Sequence, residues 1–152
     1  MIRPAALISA LLLALPAQAE EADRRLAALL LLEQAADDAL IFRLSAGPVQ
    51  MLMQASAEAR PGLSPQQMMV LSALYHEEMH AAALAALRNR AGELAARYSL
   101  AELRALNRFA ETEDGLALLA EDGGPAGGLA RSIEASMLAR MDDAFGRHAG
   151  TE

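Results

Sequence analysis

One short segment of the chain carries residue types that could do chemistry together, His76-Glu77-Glu78-Met79-His80. Its spacing is that of the H-E-x-x-H motif, and residues that are four apart lie on the same face of an α-helix. Two imidazoles placed in this way can bind one Zn²⁺, and the carboxylate of Glu77 could activate a water molecule bound to that metal. One hypothesis is therefore a zinc-binding protein or a small metallohydrolase that uses His76 and His80 as metal ligands.

The sequence around this motif favours a structural interpretation. In zinc peptidases the residue after the glutamate is normally apolar, because that side of the helix packs behind the site, whereas here it is Glu78. A third ligand is not evident, since Glu111, Glu113, Asp114 or His148 could approach only through the fold. The alternative hypothesis makes His76 and His80 half-buried members of an apolar stripe, with Glu77 and Glu78 on solvated faces.

The composition excludes several other classes of function. The chain has 152 residues, of which 54% are hydrophobic, so it is long enough for one domain with its own core. Its formal net charge of −7 argues against binding to nucleic acid or to anionic lipid, because both require a basic surface. It has no cysteine, which leaves no disulfide, no thiolate nucleophile and no sulfur-based metal site.

Residues 1–19 have the layout of a secretory signal peptide. Arg3 supplies a positive start, residues 5–15 are an apolar run, and Ala17-Gln18-Ala19 has the small-x-small form of a cleavage site. The apolar run is shorter than the roughly 20 residues that span a bilayer, and no later segment is long enough to anchor the chain in a membrane. We therefore expect cleavage after Ala19, export to the periplasm of a Gram-negative bacterium, and a soluble domain over residues 20–148.

The rest of the sequence is typical of an all-α protein. Alanine, leucine, arginine, glutamate, methionine and glutamine dominate, and these are strong helix formers, while no stretch alternates with period two. We expect a single-domain bundle of five to six helices, with Gly47-Pro48 marking the end of the first and Pro61-Gly62 that of the second. The predicted helices are residues 22–44, 48–60, 65–97, 99–111, 116–119 and 129–147. Ser64 and Gln67 have the spacing of a capping box at the start of the third helix.

The apolar spacing also predicts which helix faces are buried. Steps of three and four point Leu26 and Leu30 inward in the first helix, and Met51 and Leu52 inward in the second. The helix over residues 65–97 is apolar on two sides, which is usual for a helix at the centre of a bundle.

Two segments are expected to lack regular structure. Residues 123–128 contain four glycines and are predicted to form a flexible linker before the last helix. The chain is expected to fray from His148 on, with residues 149–152 as a disordered tail.

The segment over residues 98–119 has a recognisable pattern. An aromatic residue, a Ser or Thr, and then Glu-Leu stand at the start of a helix, and a Phe and a Gly follow later in the segment. The matching residues are Tyr98, Ser99, Glu102, Leu103, Phe109 and Gly115. With this pattern behind a signal peptide and a long helix, the chain resembles the domain of unknown function family 2059, helical domains of exported proteobacterial proteins. Ala110 stands where that family favours Tyr. The resemblance implies a fold and a compartment but no reaction.

The same residues also have structural roles that follow from their chemistry. Ser99 and Glu102 have the spacing of a capping box at the start of a helix. Phe109 is expected to anchor the core, and Gly115 is expected to permit a tight joint between two helices.

These observations leave two hypotheses for the function. The first is a non-enzymatic interaction or structural module of the periplasm, which needs no cofactor and binds a protein partner or a second copy of itself. An amphipathic helix with surplus apolar surface could support either kind of binding. The second is the zinc protein centred on His76, Glu77 and His80.

Overall fold

The computed structural model describes residues 5–149 of the chain, with side chains from residue 17 onward. This part forms one bundle of α-helices without a β-strand, which confirms the predicted all-α class. The helices are α1 (Ala5–Ala35), α2 (Asp38–Ala59), α3 (Pro65–Arg97), α4 (Leu100–Ala110), α5 (Gly115–Ala120) and α6 (Leu129–His148). None of these described helices combines the length and the apolar character that crossing a membrane requires.

The sequence predicts a signal peptide at the start of the chain and a disordered tail at its end. Residues 1–4 of the predicted signal peptide and residues 150–152 of the predicted tail lie outside the described residues. The backbone of α1 is helical through Ala17-Gln18-Ala19, and these three residues are exposed. Cleavage after Ala19 stays a prediction.

The starts of α3 and α4 lie where the two predicted capping boxes place them. Ser64 Oγ accepts the N–H of Gln67 at 3.2 Å, and Gln67 Oε1 accepts the N–H of Ser64 at 2.8 Å. Ser99 and Glu102 make the same reciprocal pair at α4, with distances of 3.3 and 2.8 Å. These bonds satisfy N–H groups that the first turn of a helix otherwise leaves unpaired, so they fix where each helix begins.

The boundary between α1 and α2 differs from the prediction. Gly47-Pro48 does not end a helix, because both residues lie inside α2. The chain breaks instead at Ala36-Asp37, where Asp37 caps α2 by accepting the N–H of Leu40 at 2.8 Å. Proline removes one hydrogen bond from a helix. Here, however, Pro48 and Val49 are buried against the core, and this packing overrides the local stop signal.

The buried face of α1 is turned away from the predicted one. Leu26 is 57% exposed and Leu30 is 49% exposed, although both are predicted to face inward. The core side of α1 consists of Ala27, Ala28, Leu31 and Leu32. Residues 26–32 are all apolar, so their spacing fits more than one helix phase. The small alanines let α1 approach its neighbours closely, which decides between the phases. In α2, similarly, Leu52 is buried but Met51 is exposed.

α3 lies at the centre of the bundle, as its two apolar sides predict. It packs against α1, α2 and α6. Its buried Tyr75 has a partner in the core, because the hydroxyl oxygens of Tyr75 and Ser56 lie 2.6 Å apart, and Ser56 Oγ also donates to the carbonyl of Leu52 at 2.8 Å. Buried polar groups need such partners, so this pair fixes how α2 and α3 are aligned.

Residues 123–128 form a compact loop where the sequence predicts a flexible linker. The N–H of Ala126 donates to the carbonyl of Leu119 at 3.0 Å, and Ala126 is buried. A Cβ added at Gly124 would collide with the carbonyl oxygen of Leu119, and one at Gly127 with that of Glu121. Glycine is needed here because the backbone packs against itself, a requirement that composition alone does not distinguish from flexibility.

The end of α6 is held in place, although the sequence predicts fraying from His148. The carbonyl of His148 accepts a hydrogen bond from Arg60 Nη2 at 3.0 Å. Ala149 is buried, and its N–H donates to the carbonyl of Phe145 at 2.8 Å. These contacts tie the last turn of α6 to the end of α2.

Candidate functional site

The two histidines of the H-E-x-x-H segment lie on α3 beside α2. His76 is half-buried, and its ring stacks on Phe42 with 5.3 Å between ring centroids and 10° between ring planes. Its Nδ1 lies 3.4 Å from Ser45 Oγ. His80, one turn further on, is exposed. His76 therefore packs between two helices, whereas His80 faces solvent.

A shallow pocket of about 310 Å³ lies in front of both histidines. Its polar lining includes Asp38 at the start of α2 and Ser45, together with His76 and His80. Among residues 17–149, however, no three His, Asp or Glu side chains come together in a way that could hold a metal ion. Glu77, the predicted general base, is exposed. The fold thus brings the two imidazoles together without a third ligand in the described part of the chain.

This geometry makes a prediction about zinc. We expect the purified chain and a His76→Ala/His80→Ala variant to bind Zn²⁺ equally weakly, because a protein zinc site needs at least three protein ligands. Calorimetric titration with Zn²⁺ measures this directly, and the unfolding midpoint of the variant controls for its fold. One equivalent of tightly bound zinc that disappears in the double variant would restore the metal hypothesis.

The prediction that Glu78 lies on a solvated face is wrong. Its side chain lies in the interface between α3 and α6. Its side chain is only 12% exposed. Arg140 Nε donates to Glu78 Oε2 at 3.0 Å, and Arg147 Nη1 donates to Oε1 at 2.7 Å. The Nε2 atom of His148 lies 3.2 Å from the same Oε1 atom. We call these four residues the Glu78 cluster.

The Glu78 cluster changes the titration of its carboxylate. Burial raises the pKa of Glu78, but hydrogen bonds from Arg140 and His148 and the positive charge of Arg147 together hold this pKa below its ordinary value of 4.5. The ring of His148 also makes an edge-on contact with the ring of Tyr75, with centroids 5.9 Å apart. The cluster therefore links the end of α6 to the core as well as to the surface of α3.

The sequence contains a signal for this cluster. Arg140, Arg147 and His148 are seven and eight residues apart, which is two helical turns, so they share one face of α6. Their partner lies 62 to 70 residues away in the chain. Spacing alone does not indicate which acidic residue that face meets.

The residues that carry the family resemblance have structural positions around α4. Tyr98 is the C-cap residue of α3 with the guanidinium of Arg97 over its ring at 5.6 Å. Leu103 is buried, and hydrogen bonds from the backbone and the hydroxyl of Ser99 hold the pKa of Glu102 below its ordinary value. Gly115 is buried in the turn between α4 and α5.

Phe109 is not the expected core anchor. It is 42% exposed, whereas its neighbour Ala110 is buried. Leu103 and Ala110 are seven residues apart and share the inner face of α4, so the side chain of Phe109 points about 100° away from that face. The prediction that Phe109 anchors the core is therefore wrong, because the small Ala110 occupies the inner face.

A groove that the sequence does not predict lies between α1 and α4. It has a volume of about 680 Å³, and its apolar floor is formed by Leu26, Ala27, Leu30 and Leu100. At the base, Asn107 Nδ2 donates to the carbonyl of Ala27 at 2.8 Å, and Gln34 Nε2 donates to Asn107 Oδ1 at 3.0 Å. These bonds fix the two helices in position and so keep the groove open.

The two walls of the groove carry opposite charges. The α1 wall has Asp23 and Glu33, and the α4 wall has Arg104 and Arg108, with Glu111 at its end. All of these side chains are exposed. Within the described part of the chain, none of them takes part in a salt bridge. The groove therefore combines an apolar floor with charges that are available to a partner.

No family model matches the chain, and neither a curated protein nor a solved structure is significantly similar to it. The resemblance of residues 98–119 to the domain of unknown function family 2059 stays a prediction.

Proposed function

We propose that this protein is a non-enzymatic interaction module of the periplasm, and that it binds another polypeptide through the groove between α1 and α4. The observation that carries the proposal is the exposure of Leu26 and Leu30 on the floor of a groove with charged walls. Full burial of a leucine is worth about 1.5–3 kcal/mol of transfer free energy, so each of these half-exposed side chains contributes about half of that when a partner covers it. A groove of this form accommodates the apolar face of an amphipathic helix.

The H-E-x-x-H segment supports this choice over hydrolysis. His76 packs against Phe42, and Glu78 is held by three side chains of α6. The segment thus contributes to the packing of α3 against α2 and against α6. A binding role also requires nothing of Glu77, which is exposed.

The proposed compartment rests on the signal peptide pattern at residues 1–19. The residues that line the groove begin at Asp23. Cleavage after Ala19 would therefore leave both walls and the whole apolar floor in the mature chain.

Site-specific photo-crosslinking in the native host tests the proposal. A photoreactive amino acid at position 30 is expected to give one discrete crosslinked product in the periplasmic fraction, because a partner covers Leu30. The matched control is position 138, since Leu138 is 48% exposed but lies on α6, away from the groove. Amino-terminal sequencing of the product reports whether the mature chain begins at Glu20.

Two outcomes would contradict the proposal. Equal or absent crosslinking at positions 30 and 138 would mean that nothing binds the groove specifically. Recovery of the chain in the cytoplasm alone would refute the proposed compartment.

A further inference from the structure

We infer that the partner in the groove is a second copy of this chain, bound through its own groove between α1 and α4. The inference rests on the proposed function, because it names the partner of the same groove. It is carried by the charges of the two helices that line the groove, which are acidic at Asp23 and Glu33 on α1 and basic at Arg104 and Arg108 on α4.

A two-fold axis parallel to the groove makes this surface complementary to itself. Such an axis places α1 of one copy over α4 of the other, so each acidic wall faces a basic wall. Asp23 and Glu33 of one copy then lie opposite Arg104 and Arg108 of the other. Because the interface is isologous, every such contact occurs twice. A two-fold axis across the groove would instead oppose walls of like charge.

The exposed leucines of α1 are also covered in this arrangement. Leu26 and Leu30, which are both about half exposed in the single chain, become covered by Leu100 and by the aliphatic stems of the arginines on α4 of the other copy. The groove extends over about 15 Å of α1, from Asp23 to Glu33. An interface of this length is at the small end for specific complexes, so we expect a reversible dimer with a Kd on the order of 10 µM.

Reversal of the charges on one wall at a time tests the pairing. An Arg104→Glu/Arg108→Glu variant has two acidic walls, and an Asp23→Arg/Glu33→Arg variant has two basic walls. We expect each variant alone to dimerise at least tenfold more weakly than the natural chain, because like charges then face each other. We expect an equimolar mixture of the two to form a heterodimer, since every acidic wall again meets a basic one.

Sedimentation velocity at about 1 to 100 µM measures whether each protein is a monomer, a homodimer or a heterodimer. The protein is purified from cells in the form that remains after any cleavage of the signal peptide. A Leu30→Arg variant removes an apolar contact and sets a positive charge against the basic α4 of the other copy, so we expect it to weaken the dimer at least tenfold. A Leu138→Arg variant is its matched control and should leave the dimer unchanged. Helix content and unfolding midpoint show that each variant is folded.

The outcomes separate this inference from the proposed function. A natural chain that stays monomeric throughout the range, or variants that remain monomeric when mixed, would overturn the inference. If position 30 then crosslinks to a different protein, the proposed function stands and only the identity of the partner is wrong. If position 30 crosslinks to nothing, both are wrong.

Discussion

Replacing Gly115 with alanine is expected to destabilise the fold by about 3 kcal/mol or more, which is a large part of the stability of a small domain. A Cβ at this position would overlap the carbonyl oxygen of Phe109 and would lie 2.7 Å from its carbonyl carbon and 2.5 Å from Thr112 Oγ1. The threonine side chain could rotate away. The backbone of Phe109 could move only by breaking the turn that joins α4 to α5.

That turn has little freedom to adjust. The carbonyl of Phe109 already accepts the N–H of Thr112 at 3.0 Å and its hydroxyl at 2.7 Å, and the N–H of Gly115 donates to the carbonyl of Thr112 at 3.2 Å. A shift that makes room for one methyl group would therefore cost several hydrogen bonds at once.

Urea denaturation followed by circular dichroism measures the effect, and Gly92→Ala is the matched control. Gly92 lies inside α3 with open space where a Cβ would stand. Alanine there is expected to stabilise the protein by about 0.5–1 kcal/mol, because it reduces the entropy lost on folding. Equal effects at the two positions would show that the close approach in the turn does not constrain residue 115.

Replacing Glu78 with glutamine is expected to lower the free energy of unfolding by about 2 kcal/mol near neutral pH. Glutamine keeps the shape of the side chain but removes the charge that Arg140, Arg147 and His148 share. The carboxylate is mostly buried, while the two arginines are 38% and 47% exposed. The loss should therefore lie between the tenths of a kcal/mol of a surface pair and the 3–5 kcal/mol of a broken buried pair.

The effect should also depend on pH, with a sign that follows from the titration of Glu78. Because the pKa of Glu78 in the folded chain lies below its ordinary value of 4.5, the folded state binds this proton more weakly than the unfolded state does. The carboxylate thus contributes its full stabilisation above about pH 4.5, and the contribution is lost as the pH falls through the folded pKa. The difference in stability between the natural chain and Glu78→Gln should be constant near neutral pH and shrink in acid.

Glu77→Gln is the control for this experiment. Glu77 is the adjacent residue but is exposed, and it forms no salt bridge within the described residues. Its replacement should change the unfolding free energy by less than about 0.5 kcal/mol at any pH. A difference for Glu78→Gln that persists unchanged in acid would mean that its charge is not what stabilises the interface.

The sequence predicts the parts of this fold that local chemistry determines. The capping boxes at Ser64 and Ser99 fix where α3 and α4 begin, and the two apolar sides of α3 place it at the centre of the bundle. Asp37 is equally able to cap a helix, but the Gly47-Pro48 pair is the stronger local signal. Only the packing of α2 against α3 and α6 shows that the helix continues through Pro48.

The same limit applies to the candidate sites. The spacing of His76 and His80 is visible in the sequence, and the structure places both at one pocket. The groove between α1 and α4 could not be predicted, because the continuous apolar run at residues 26–32 let Leu26 and Leu30 be assigned to the core. The Glu78 cluster was missed for a different reason, since it joins residues that are far apart in the chain and meet only when α6 packs against α3.

The position of His148 has a consequence for how the chain folds as it is made. Tyr75 lies near the middle of the sequence, but the ring against it belongs to the last residue of α6. A growing chain that has not yet released α6 leaves one side of α3 open to water, and the hydrogen bonds that close it span 54 to 70 residues. Such long closures are slow, because the entropy of a large loop is lost before the contacts form. The bundle therefore completes its core only once α6 has emerged, because α6 covers the last open side of α3.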